Sequence, residues 1–120
     1  MKLLNKDIYE YANALASFHI EGKVPVKISF FLQKNIQTLI AAAQEIDEVR
    51  VQVIEKYGSI DTETGTYNIP PENIDEANKE LFDFFMVSQD LNIHTFNLND
   101  FDNIELTYEQ MSIIVFMIEE

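Results

Sequence analysis

KISFFLQKNIQTLIAAAQEIDEVRVQVIEKY, the stretch from Lys27 to Tyr57, decides the fold of this chain. Its apolar residues Ile28, Phe31, Leu32, Ile36, Leu39, Ala43, Ile46, Val49, Val53 and Tyr57 recur at helical spacing and make one continuous stripe. Pro25 disfavours helical dihedrals at Val24 and sets the start just downstream, while Gly58 is placed to stop the helix in a left-handed cap. A helix of this length rises ~46 Å at about 1.5 Å per residue, against the ~30 Å diameter of a small domain. It is therefore either a spine or a protruding arm. Phe30, Ile40 and the alanines at 41 to 43 widen the stripe in its first half, whereas Glu45, Asp47, Glu48, Arg50 and Glu55 narrow it in the second. A wide stripe is covered on several sides and a narrow one makes a seam, so Ile28 to Ala43 should be core and Ile46 to Tyr57 should pack against one partner.

Upstream, Met1 to Leu4 has the makings of a strand, and Asn5 reads as the N-cap of a first helix with Asp7 in its first turn. Ile8, Tyr11, Ala12, Leu15 and Phe18 form its buried stripe, with an end near His19. Leu4 and Tyr9 have the spacing of a hydrophobic staple across that cap. The short turn Glu21-Gly22-Lys23 then sets the two helices side by side.

Downstream of Gly58 the chain turns polar. Asp61 to Gly65 reads as a turn, with Thr66 to Ile69 as a strand. Pro70 and Pro71 open a third helix whose stripe is Ile74, Ala77, Leu81, Phe84 and Phe85, with acids suited to the positive end of the helix dipole. From Phe82 to Val87 apolar residues surround most of that helix, so its second half should be buried or docked on another chain. Asn92 to Leu98 is a β-rich stretch. Thr107 followed by Gln110 is a capping box, and Leu106 with Met111 a staple, at the start of a fourth helix. Ile113 to Ile118 leaves no polar face, which predicts a deeply placed last helix with Glu119 and Glu120 reaching water. The expected fold is a single domain, residues 1–120, of the helix-dominated α+β class. It has a long central helix, three shorter ones and a small two- or three-stranded sheet from some of Met1 to Leu4, Thr66 to Ile69 and Asn92 to Leu98.

Charge is the informative part of the composition. Residues 1 to 57 hold seven acids and seven bases, whereas residues 58 to 120 hold fourteen acids and only Lys79. The whole net charge of −13 thus lies on the second half. Such a surface has no cations to replace the counter-ions of a nucleic acid or an anionic membrane, so neither is an expected direct partner. The longest apolar run, Ile113 to Ile118, is far below the ~20 residues that span a bilayer, and no basic-then-apolar leader opens the chain. With no cysteine, thiolate metal sites and disulfides are excluded.

Few motifs carry chemistry. Asp61, Glu63 and Glu72 fit positions one, three and twelve of a calcium loop, but the glycine is at position five and prolines occupy the exiting helix. An acidic turn is the better reading. His94 could be approached by Asp100 or Asp102 across a turn, for a metal or for proton transfer, yet neither histidine has a ligand cluster at helical spacing. No nucleophile elbow, phosphate-binding loop or cofactor motif is present, so an enzyme is the least supported class and no cofactor is expected. The carboxylates remain. Glu72, Asp75, Glu76, Glu80 and Asp83 line one face of the third helix, and Asp100 and Asp102 stand in a late acidic loop. The simpler reading of these acids is a solvated face. The sharper one is a partner-binding surface that imitates the phosphates of a duplex and takes up a basic groove.

Leu4-Asn5-Lys6-Asp7-Ile8, Val24-Pro25-Val26-Lys27-Ile28-Ser29, Ile54-Glu55-Lys56-Tyr57-Gly58 and the closing Phe116-Met117-Ile118-Glu119-Glu120 occur in order along nearly the whole chain. Together they resemble a family of small proteins of unknown function encoded by phages and prophages of Gram-positive bacteria. The resemblance implies a genomic setting and residence in the host cytoplasm, and supplies no activity or functional residue. Two readings follow from it. One is a non-enzymatic accessory protein that binds, and inhibits, a host or defence protein handling nucleic acid. The other is a structural or assembly component that forms homo-oligomers through Phe82, Phe85 and Met86.

Overall fold

In the computed structural model, which describes residues 1–119, the long helix runs from Val26 to Tyr57 (α2) and is the spine of the molecule. From Ile28 to Ile46 it buries Ile28, Leu32, Leu39, Ala42 and Ile46 in the main core. Helix α1 (Asn5–Leu15) lies alongside and contributes Ile8, Ala12 and Leu15, and Ile93, Phe96, Phe101, Ile114 and Met117 complete the cluster. Ile46 thus belongs to the core. The second half of α2 buries Val53 and Ile54 and is flanked by two elements, β2 (Ser59–Ile60) and α3 (Ile74–Phe85), not by the single partner its narrow stripe suggested. The molecule measures 55 × 29 × 22 Å, so its long dimension is set by this helix.

Gly58 does end α2, but for a different reason from the one expected. Its φ of −161° is extended backbone open to any residue. What excludes a side chain is space. A Cβ would run into the carbonyl oxygen of Asn68 and approach the Ile69 backbone at 3.0 Å, where β3 (Tyr67–Asn68) returns against β2. The hairpin tip between them is the predicted turn: the Asp61 side chain accepts from Glu63 N–H at 2.9 Å, and Gly65 takes the left-handed φ of 71°.

Among the described residues there are three separate two-stranded ladders in place of one sheet. β1 (Lys2–Leu4) pairs antiparallel with β4 (Ser88–Asp90), β2 with β3, and β5 (Phe96–Asn97) pairs parallel with β6 (Ile118–Glu119). Each segment expected to share a sheet pairs with a different neighbour instead. Only two residues of Asn92 to Leu98 become strand, since Leu98–Phe101 winds into a 3-10 turn that sends Phe101 into the core.

Two further expectations change. Asn5 is the first helical residue and not the cap, which is Leu4. Its side chain is buried and spans two other elements: Nδ2 donates to the Phe84 carbonyl at 3.0 Å, and Oδ1 accepts from Gln89 Nε2 at 2.7 Å. The last helix is shorter than its apolar run. α4 covers Tyr108–Ile114, a 3-10 turn covers Val115–Met117, and β6 follows. Ile114 and Met117 are fully buried whereas Val115 faces water, so the run Ile113 to Ile118 is divided between core and surface. Glu119 is exposed as expected; Glu120 lies outside the described residues. The capping box at Thr107 forms with both bonds, at 2.9 and 3.1 Å.

Candidate protein-binding face

Helix α3 begins where Pro71–Asn73 makes a single 3-10 turn, and the Asn73 side chain donates to the Tyr57 carbonyl at 3.0 Å. This bond ties the start of α3 to the end of α2. Ala77 is completely buried, and Leu81, Phe84 and Phe85 follow it inward, Phe85 meeting Tyr9 edge to face at 5.8 Å. With that side fixed against α1 and α2, the other side must face solvent. Glu72, Asp75, Glu76 and Asp83 are exposed there, with Lys79 the only base on the helix.

Glu80 differs from its neighbours. Its side chain is partly exposed, and both carboxylate oxygens accept from the one Lys56 ammonium nitrogen, at 3.1 and 3.2 Å, across the gap between α2 and α3. The Tyr57 hydroxyl first and Lys56 second hold its pKa below the usual carboxylate range. In return the Lys56 pKa is raised, chiefly by its bond to Glu80. Glu80 is thus a fastener of α3 to the spine, and the face offered to a partner consists of the other four acids.

Asp100 and Asp102 are exposed, but they are carried by a different part of the fold. Their turn, Leu98–Phe101, packs against β5, whereas α3 packs mainly on α2 and α1. Asp100 is also engaged locally: its carboxylate accepts the Asn97 N–H at 2.9 Å in a second capping box. The seven carboxylates therefore form two groups.

His94 is held away from the role imagined for it. Its ring lies flat on Phe31, centroids 3.8 Å apart, with Phe96 edge-on at 4.9 Å, while its backbone N–H and carbonyl are both bonded to Asn35. No bond joins it to Asp100 or Asp102 among the described residues. His19 is exposed, and its carbonyl accepts from Gln110 Nε2 at 2.8 Å. Asp61 and Glu63 sit in the hairpin tip and Glu72 in the 3-10 turn beyond β3, which is not the geometry of a helix-flanked calcium loop.

The same helix carries an exposed apolar strip. Phe82 is 65% exposed, Val87 51% and Met86 43%, so the apolar second half of α3 is only half covered by its own chain. Phe85, grouped with Phe82 and Met86 from sequence, points inward to Tyr9 and is not part of this strip. Spacing alone could have separated them, since Phe85 is four residues from Leu81 on the buried stripe whereas Phe82 and Met86 share the opposite side.

No helix among the described residues is long and apolar enough to cross a membrane. The chain matches no protein-family model, no curated protein and no solved structure.

Proposed function

We propose that this chain is an accessory protein of phage or prophage origin that works in the host cytoplasm by binding another protein, and not by catalysis. Its acidic face would take up the basic surface of a host or defence protein that handles nucleic acid. The observation that carries the reading is the exposure of Asp75, Glu76 and Asp83 on the outward side of a helix whose only base is Lys79, with Glu72 exposed in the 3-10 turn that leads into it. Carboxylates so placed repel their neighbours by a few tenths of a kcal/mol per pair, a cost that a cationic partner removes. They also steer such a partner through the field of the whole second half.

The test compares the wild type with D75K/E76K/D83K, which leaves the Lys56–Glu80 fastener intact. Tagged protein is incubated with host lysate at low and high salt, with and without competing duplex DNA. The reading expects a basic nucleic-acid-handling protein that is retained at low salt, displaced by duplex and lost with the variant. Retention of the same proteins by the variant, insensitive to duplex, contradicts it.

A second reading, self-association as a structural or assembly component, is favoured by the exposed Phe82, Met86 and Val87. It requires an interface of at least about 1,000 Å² and hence a mass that rises with concentration.

A further inference from the structure

We infer that the exposed strip of α3, Phe82 and Met86 with Val87 at the helix end, is the docking site for a basic amphipathic helix of a partner protein. The inference rests on the protein-binding reading above and adds where the partner is anchored and what it looks like.

Phe82 and Met86 are one helical turn apart, and the line they define runs back through Lys79 to Asp75 at steps of four and three. An apolar pair at this spacing is the anchor pattern of helix recognition. The strip is also held rigid in the free protein. Asn5 bonds the Phe84 carbonyl through Nδ2 at 3.0 Å and the Val87 carbonyl through its backbone N–H at 2.8 Å, clamping the end of α3 to the start of α1. A surface fixed beforehand costs little ordering on binding.

Charge selects the occupant. Around the strip the segment from Pro71 to Phe85 carries five carboxylates against one lysine, and among the described residues only Glu80 of these has an ion-pair partner. A second copy docking through the same face would set Asp75 and Asp83 against their own counterparts, and like charges brought together at an interface are penalised. A helix with apolar residues at i, i+3 and i+4 and Lys or Arg on its flanks meets both features at once. Aromatic and methionine side chains ringed by polar groups are typical of the buried centre of such contacts.

The probe is a synthetic Leu/Lys peptide with helical periodicity, set beside a scrambled peptide of the same composition and a Leu/Glu peptide of the same pattern. Binding is followed by fluorescence anisotropy, with sedimentation of the protein alone. The expected result is binding of the periodic Leu/Lys peptide only, weakened at least tenfold by F82S/M86S and also by D75K/D83K, with far-UV spectrum and melting unchanged. Equal binding of the scrambled peptide, or none of either, overturns the inference. Full affinity in F82S/M86S with loss in D75K/D83K also overturns it, while leaving the acidic-face reading standing. A wild type that dimerises at micromolar concentration, and stops doing so in F82S/M86S, assigns the strip to a second copy and overturns it as well.

Discussion

Asn35 is the residue on which the two ends of the core meet. It lies on the buried side of α2, is 1% exposed, and its amide closes two bonds of 2.8 Å with the backbone N–H and carbonyl of His94 while Nδ2 also reaches Met117 Sδ at 3.3 Å. Replacing it with alanine leaves two part-buried backbone groups without their partner as well as opening space, so N35A should destabilise the fold by about 2–4 kcal/mol. The check is a urea titration in which the midpoint falls and the slope is unchanged. Leucine should not rescue, because volume is not what is missing. The sequence did carry a signal for this residue, a polar side chain between Leu32 and Leu39 on an otherwise apolar stripe, but nothing local said what it would bond. The same holds for Asn5, whose partners Phe84 and Gln89 are roughly eighty positions away along the chain. Glu80 gives a pH prediction. Its folded-state pKa lies below the unfolded value, so its contribution is complete above the ordinary carboxylate range and is lost as pH falls through the depressed folded pKa. E80Q should therefore melt below the wild type at neutral pH, and the two curves should converge as pH falls below the ordinary carboxylate range. A constant difference across that range would remove the ion pair as the cause.

At the scale of elements, the short α4 depends on its first turn. Thr107 and Gln110 cap each other, and Gln110 Nε2 reaches across to the His19 carbonyl, so one box both starts the helix and ties it to the chain after α1. T107A should cost about 1 kcal/mol, seen as a lowered thermal midpoint. Elements with a strong period or an explicit start signal were legible: the length of α2, the stripe of α1, the proline-led start of α3 and the box of α4. The strands were legible only in part. Two-residue ladders such as β2–β3 and β5–β6 are too short to show alternation, and Ser88–Asp90 and Ile118–Glu119 become strands because β1 and β5 lie next to them. The end of α1 at Leu15, short of the expected His19, and the break in Ile113 to Ile118 were not legible in the side-chain pattern, which alone would extend each helix. At the candidate face, periodicity placed Asp75, Glu76, Glu80 and Asp83 on α3, whereas Glu72, expected on the same helix, stands in the 3-10 turn before it. It missed that Glu80 is committed to Lys56, since that pairing crosses from one helix to another.

As a whole, the molecule is a rod. A compact domain of this length has a radius of gyration of about 13.6 Å, whereas the Cα atoms here give 17.7 Å. X-ray scattering of a dilute monomer should report the larger value and a maximum dimension near the 55 Å long axis. A value close to the compact one would mean that α2 is not a continuous spine. The rod is electrically lopsided, with balanced charge over residues 1 to 57 and all the net charge beyond them, and α3 presents that excess outward beside Phe82 and Met86. The decisive measurement is the salt- and duplex-sensitive capture of host protein by the wild type and by D75K/E76K/D83K. Protein binding through the acidic face predicts a basic partner that the wild type retains, duplex DNA displaces and the variant fails to hold. An identical set of proteins on both, unaffected by duplex, would contradict it.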